Sequence, residues 1–363
     1  MMTNFQKQQV KNKQDEVRKS VRLSRIILPI LIGISVVVYL LWQNFDVQEF
    51  HRIQWTLHTF LWLVIAFGIL GFRHFAYMAR LYILAEGEFS WRKCFELIFI
   101  WEFSSAVTPT SVGGSAVAFL VLSQEKLSTA KTATIVIYTV ILDAIFFLIG
   151  IPIFYLIFKN LILPSEDAQF FGSLGAKFIL AITYVGMASY TLLFIWGVFI
   201  NPKGIKSFLL LVCKLPFLKR YEAKTSQLGD DIMRTSEEVT SKNWKYHIGA
   251  LLGTAGAWTG KFLLIIAIII ALVPSFQTDF LLLILFFAKL KTMFILILLF
   301  PSPGGAGFAE LAFAAFMHGY IPVTSALVIA LVWRLMSYYS YLIAGAIIIP
   351  NWLRNRWNER EES

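Results

Sequence analysis

The chain has 363 residues, 58% hydrophobic and only 15% charged, with a formal net charge of +10 and a mean hydropathy of +0.69. Soluble domains carry about a quarter charged residues, so this balance excludes a soluble fold and points to an all-α polytopic membrane protein. Two cysteines are too few for a disulfide framework or a zinc site, the five histidines lack ligand spacing, and no nucleic-acid motif accompanies the basic residues; no metal, cofactor or nucleic-acid partner is expected.

In chain order, residues 1–25 form a basic tail with seven Lys and Arg. The run that follows, "IILPILIGISVVVYLLW", lacks a small-residue cleavage pattern and reads as a retained span. Apolar runs of about 20 residues predict six full spans at 24–42, 55–74, 132–158, 174–200, 246–272 and 323–350. They fall into a first membrane half, 26–200, and a second, 246–350, joined by the connection 201–245 and followed by a tail, 351–363. The connection mixes Phe and Leu with Lys in its first part, which suits a helix on the membrane surface; its second part reads as a solvated helix. It holds nine Lys and Arg, and the tail adds Arg354, Arg356 and Arg360, whereas 43–54 has only Arg52 and 273–279 has none. Short cytoplasmic loops are enriched in Lys and Arg, so both termini are expected on the cytoplasmic side of the plasma membrane.

Two apolar regions are interrupted: 93–123 by "TPTSVGG" and 280–318 by "PSPGG". Both are expected to be re-entrant hairpins, entered from opposite faces. Their glycine pairs, Gly113/Gly114 and Gly304/Gly305, lie 191 residues apart, and each region precedes a full span. The pattern predicts an inverted-topology repeat. Irregular backbone at membrane depth survives when buried in protein or lining a wet cavity, and paired broken helices in two halves mark transport sites. Pro303 would fix a turn. Gly304, Gly305, Gly307, Gly113 and Gly114 would let backbone approach a ligand, with helix N-termini aimed at an anion.

Ionisable residues at depth are costly and usually functional. Glu102, Asp143, Lys289, Lys291, Glu310 and Arg334 are the candidates; Arg73, His74 and Arg80, near a span end, are expected to snorkel to headgroups. Glu310 would either stabilise its helix N-terminus or enter the polar cavity. Lys289 and Lys291 point about 200° apart and cannot share one groove. Hydroxyls near Glu102, among them Ser104 and Thr108, would bond their own helix carbonyls or line a polar path. Asp143 and Arg334 each lie 29 residues beyond the second glycine of their pair, Gly114 and Gly305; they are expected to pair directly or to flank a headgroup.

The stretches "WEFSSAVTPTSVGGSAVAFLVLSQEKLSTAKTATIVIYTVILD" and "PSPGGAGFAELAFAAFMHGYIPVTSALVIALVWRLMSYY" resemble the two hallmark regions of the lysylphosphatidylglycerol synthase membrane domain family, also called flippase-like. Pro303, Gly304, Gly305, Gly307, Glu310 and Arg334 match its second region; the first is a looser match. The resemblance implies a lipid translocase that moves a phospholipid, or another anionic or aminoacylated lipid, between leaflets. With "NWLRNRWNEREES" following the last span, a standalone member without the C-terminal acyltransferase domain of the bifunctional relatives is expected. Membrane phospholipids, and a separately encoded lipid-synthesising enzyme, are the implied partners. The alternatives are a membrane-embedded enzyme acting on lipid headgroups and a non-catalytic partner of such an enzyme; no nucleophile–base pair supports an enzyme.

Overall fold

The computed structural model describes residues 35, 39, 42, 47–51, 55–108, 111–125, 127–164, 173–212, 222–273, 276, 279–298, 303–305 and 307–361. Among them there are helices and no strands. In order they are α1 Val47–His51, α2 Leu57–Leu84, α3 Trp91–Val107, α4 Ser111–Leu122, α5 Thr129–Phe158, α6 Ser173–Ile195, α7 Pro202–Val212, α8 Glu222–Thr240, α9 Trp244–Leu272, α10 Phe280–Ile297, α11 Phe308–Met317, α12 Val323–Arg334 and α13 Ser340–Glu361. Polar side chains cap several starts: Ser90, Ser128, Asn243 and Asp279 accept backbone N–H groups at the heads of α3, α5, α9 and α10, satisfying donors that a helix leaves free.

Six helical stretches among the described residues are long and apolar enough to cross a membrane: Leu57–Leu84, Ala130–Ile162, Gly175–Ile200, Trp244–Leu272, Phe280–Ile297 and Val323–Arg356. Five coincide with predicted spans. The predicted span 24–42 lies almost wholly outside the described residues. The sixth stretch, Phe280–Ile297, falls where the sequence suggests one arm of a hairpin. Its 18 residues reach about 27 Å at 1.5 Å per residue.

Helix α2 runs ten residues past the predicted end at 74, to Leu84. The reason is its sidedness. Phe60, Leu61, Val64, Phe67, Phe72 and Phe75 are exposed, whereas Ala66, Arg73, Tyr77, Arg80 and Leu84 are buried. Apolar outside and polar inside suits a hydrocarbon solvent, where a charge is tolerated only when turned into the bundle. The polar residues "RHFAYMAR" therefore continue the helix.

Helices α2 and α9 pack most closely, through a small-residue stripe on α9. A Cβ at Gly253 would come within 2.9 Å of Arg80 Cβ, and one at Gly260 within 3.1 Å of Arg73 Cβ. A Cβ at Gly249 would come within 2.9 Å of Ile83 Cδ1, and one at Gly256 within 3.3 Å of Ala76 Cβ. Without a hydrophobic driving force between spans, backbone proximity supplies the dispersion energy.

The connection departs from its expected form. Helix α8 is not solvated all round: Ile232, Thr235 and Val239 are fully buried where α8 packs on α5 and α7. Lys206 of α7 donates to Asp230 of α8 at 2.5 Å.

Candidate functional site

The buried charges assemble from both halves of the chain. On α2, Arg73, Tyr77 and Arg80 recur at helical spacing, so one face carries all three. Arg73 donates from Nη2 to Glu102 Oε2 of α3 at 2.5 Å. Arg80 donates from Nη1 to Asp143 Oδ1 of α5 at 2.6 Å and to Thr254 Oγ1 of α9 at 3.2 Å. Both guanidinium groups lie about 5 Å from the Tyr77 ring, a cation–π geometry. Trp258 Nε1 of α9 donates to the same Asp143 oxygen at 3.0 Å. Arg73 and Arg80 therefore do not snorkel to the surface; they are 3% and 6% exposed and neutralise two carboxylates inside the bundle. His74 also turns inward, with Nδ1 3.2 Å from the Tyr341 hydroxyl.

Arg334 pairs elsewhere than expected. It ends α12, with Nε donating to Glu310 Oε1 at 2.7 Å and Nη1 to the Gly304 carbonyl at 2.7 Å. Asp143 is not its partner, because Arg80 takes that carboxylate. Glu310 sits in the first turn of α11, so it meets the helix dipole and the arginine at once. The expected pairing of Asp143 with Arg334 came from symmetry of spacing; Arg334 instead meets Glu310 on the neighbouring α11, while Asp143 is held by Arg80.

The Gly-rich turn is shaped by backbone need. Pro303–Gly305 forms a short 3-10 turn, and Gly304, Gly305 and Gly307 have φ of 58°, 69° and 83°, where a Cβ is strained. At Gly304 a Cβ would also lie 2.0 Å from Tyr338 Cε2. Tyr338 belongs to a π-helical turn, Leu335–Tyr339, directly after Arg334. Its hydroxyl donates to the Ala106 carbonyl at 3.2 Å, near the end of α3, and its ring lies 4.4 Å from the Arg334 guanidinium. So one tyrosine touches both interrupted regions. In the first interrupted region α3 and α4 also approach closely: a Cβ at Gly114 of α4 would fall 3.0 Å from Ser105 Cα of α3. Gly113 lies on α4 beside it, while Pro109 and Pro301 are outside the described residues. Ser104 and Thr108 bond carbonyls of their own helix, Ile100 and Ser104.

Lys289 and Lys291 are not brought into this group. Lys289 donates to the Leu163 and Phe316 carbonyls, each at 3.0 Å, at the ends of the 3-10 turn Lys159–Ile162 and of α11. Lys291 lies 3.6 Å from the Phe146 ring centroid. They diverge, as their spacing requires.

One central cation escaped the sequence reading. Lys261 of α9 lies 4.7 Å from the Trp258 ring and 4.3 Å from the Phe294 ring; the adjoining Gly260 would place a Cβ 3.1 Å from Arg73 Cβ, and the Phe294 ring lies 5.7 Å from the ring of Trp333, the neighbour of Arg334. The sequence pattern did not mark it: it follows Gly260, the last of the stripe Gly249, Gly253, Gly256 and Gly260, but lies about 100° round the helix from that face.

Among known proteins, the family profile described as the lysylphosphatidylglycerol synthase TM region matches residues 26–345. The UPF0104 membrane protein of Archaeoglobus fulgidus is 25% identical over 254 residues, covering 68% of this chain and 72% of its own length. No solved structure matches. The matched span takes in both interrupted regions and the residues around Arg334, and the chain belongs to the lysylphosphatidylglycerol synthase TM region family.

Proposed function

We propose that the protein is a lipid translocase of the plasma membrane, carrying a phospholipid headgroup past the bundle's polar centre while the acyl chains stay in the hydrocarbon. The observation that carries this reading is the contact of both interrupted regions with Tyr338, through Ala106 and Gly304, beside Arg334. Broken helices meeting in the interior, with charged groups alongside, are what a membrane carrier needs and what a purely structural bundle avoids. In this reading α3–α4 and α10–α11 are the two re-entrant hairpins of an inverted repeat, with both termini cytoplasmic. Glu102, Asp143, Glu310 and Arg334 hold the polar centre, and Gly114, Gly304, Gly305 and Gly307 keep its backbone close. The reaction is movement without bond chemistry.

The test is reconstitution of the full chain in liposomes bearing fluorescent phospholipids, followed by quenching of the outer leaflet. Protein-dependent quenching of inner-leaflet lipid is expected. Quenching that stops at the outer half, with folded and inserted protein, would reject translocation.

A further inference from the structure

The polar centre is not balanced. Its three carboxylates, Glu102, Asp143 and Glu310, are each matched by an arginine. Lys261 has no carboxylate within ion-pair distance among the described residues, and its ammonium rests on two aromatic faces. The sum is one uncompensated positive charge.

Hydrogen bonding leans the same way. Arg73 is 3% and Arg334 5% exposed, yet Arg73 Nε and Nη1, Arg334 Nη2 and Trp333 Nε1 have no hydrogen-bond partner among the described residues. The one carboxylate oxygen left over there is Glu310 Oε2, and His74 Nε2 is also free. Buried donors without acceptors are costly, so a cluster of them in a native interior calls for an explanation, of which a bound anion is one. Four donor atoms and an unpaired ammonium, against one acceptor, call for a ligand rich in acceptors and negatively charged. A phosphate diester fits: two non-bridging oxygens, one charge, and a shape that guanidinium groups grip. A headgroup ammonium would meet only surplus cation.

We propose that Arg73, Lys261 and Arg334 form a phosphate-oxyanion site selecting lipids of net negative charge, such as phosphatidylglycerol, over zwitterionic or cationic ones. This rests on the translocase reading for its purpose, though the site itself can be tested by binding alone.

The binding arm measures the melting temperature of the purified full chain in neutral detergent with short-chain dioctanoyl phosphatidylglycerol, dioctanoyl phosphatidylcholine or inorganic phosphate. Phosphatidylglycerol should stabilise more than phosphatidylcholine, and K261M should weaken its apparent affinity about tenfold or more without lowering the ligand-free melting temperature. Stabilisation by phosphatidylglycerol alone identifies a lipid headgroup as the ligand; equal stabilisation by inorganic phosphate identifies the oxyanion itself. Equal responses to the two lipids, or an unchanged affinity in K261M, would overturn the site. The transport arm repeats the comparison in liposomes. Selective binding without transport of any lipid rejects the translocase and leaves the anion site standing. Transport of all lipids at one rate, indifferent to K261M, does the reverse.

Discussion

Arg334 and Glu310, 24 residues apart in sequence, meet at 2.7 Å inside the bundle, and the same guanidinium holds the Gly304 carbonyl at 2.7 Å. One side chain thus ties α12 to the head of α11 and to the Gly-rich turn before it. Removing the arginine alone strands a carboxylate that is 1% exposed. R334A should therefore cost about 3–5 kcal/mol of stability, read as a lower melting temperature in detergent. The double variant Arg334→Leu with Glu310→Leu should recover most of it and remain inactive in lipid transport. A double variant that transports normally would remove Arg334 from the site.

Arg80, not Arg334, is the partner of Asp143. In a double-mutant cycle, Arg80→Leu and Asp143→Leu should couple by about 1.5–3 kcal/mol, as expected for a hydrogen bond to a charged group. Arg334→Leu and Asp143→Leu should be additive. The reverse pattern would restore the pairing that the sequence spacing suggested.

Gly304 cannot accept a methyl group. Its φ of 58° and the Tyr338 ring 2.0 Å from a Cβ make Gly304→Ala displace the tyrosine that touches both interrupted regions. Transport should fall by at least tenfold. Gly319→Ala separates strain from contact: φ is also positive, at 81°, but nothing lies within 4 Å of its Cβ, so it should cost only about 1–2 kcal/mol and leave transport intact. Gly71→Ala, in open space on α2, should be neutral or stabilising by about 0.5–1 kcal/mol.

At the polar end of the bundle, Glu86 binds Lys131, Lys242 donates to Glu86 and Glu238 at 2.8 Å, and Lys131 reaches Glu238 at 3.2 Å. Partial burial works to raise the Glu86 carboxyl, but hydrogen bonds from Lys131 and Lys242 outweigh it and hold it below its usual value. The hydrogen bond from Lys242, with help from Lys131 and against some burial, lowers Glu238. Burial opposes the Lys242 charge, and its bonds to Glu238 and Glu86 raise it regardless. Depressed carboxyls stabilise above their unfolded value near 4.5 and lose that contribution as pH falls through the folded value. The raised ammonium stabilises below its unfolded value near 10.5 and loses that contribution as pH rises through the folded one. The melting-temperature gap between the parent and Glu238→Gln should be flat from about pH 5 to 10 and close below about pH 4.5. A gap that widens on acidification would contradict the network.

Much of the molecule was legible before its structure. Apolar run length located five of the six helices long and apolar enough to cross a membrane, because hydrocarbon demands about 20 residues that satisfy their own backbone. The two interruptions and Gly304, Gly305 and Gly307 were legible because positive φ is a local property that glycine alone supplies cheaply. Glu310 and Arg334 stood out because charge at depth is expensive. Pairing was not legible. Arg73 and Arg80 looked like surface residues because their place near a predicted span end was read without their helical spacing, which puts both on the inner face with Tyr77. Lys261 was hidden inside an apolar run, and its meaning depends on neighbours that other helices bring to it. Composition and periodicity act along the chain and are carried by sequence alone. Which carboxylate meets which guanidinium depends on backbone separations set by close packing, such as Gly253 against Arg80 and Gly260 against Arg73, and only the tertiary structure decides those.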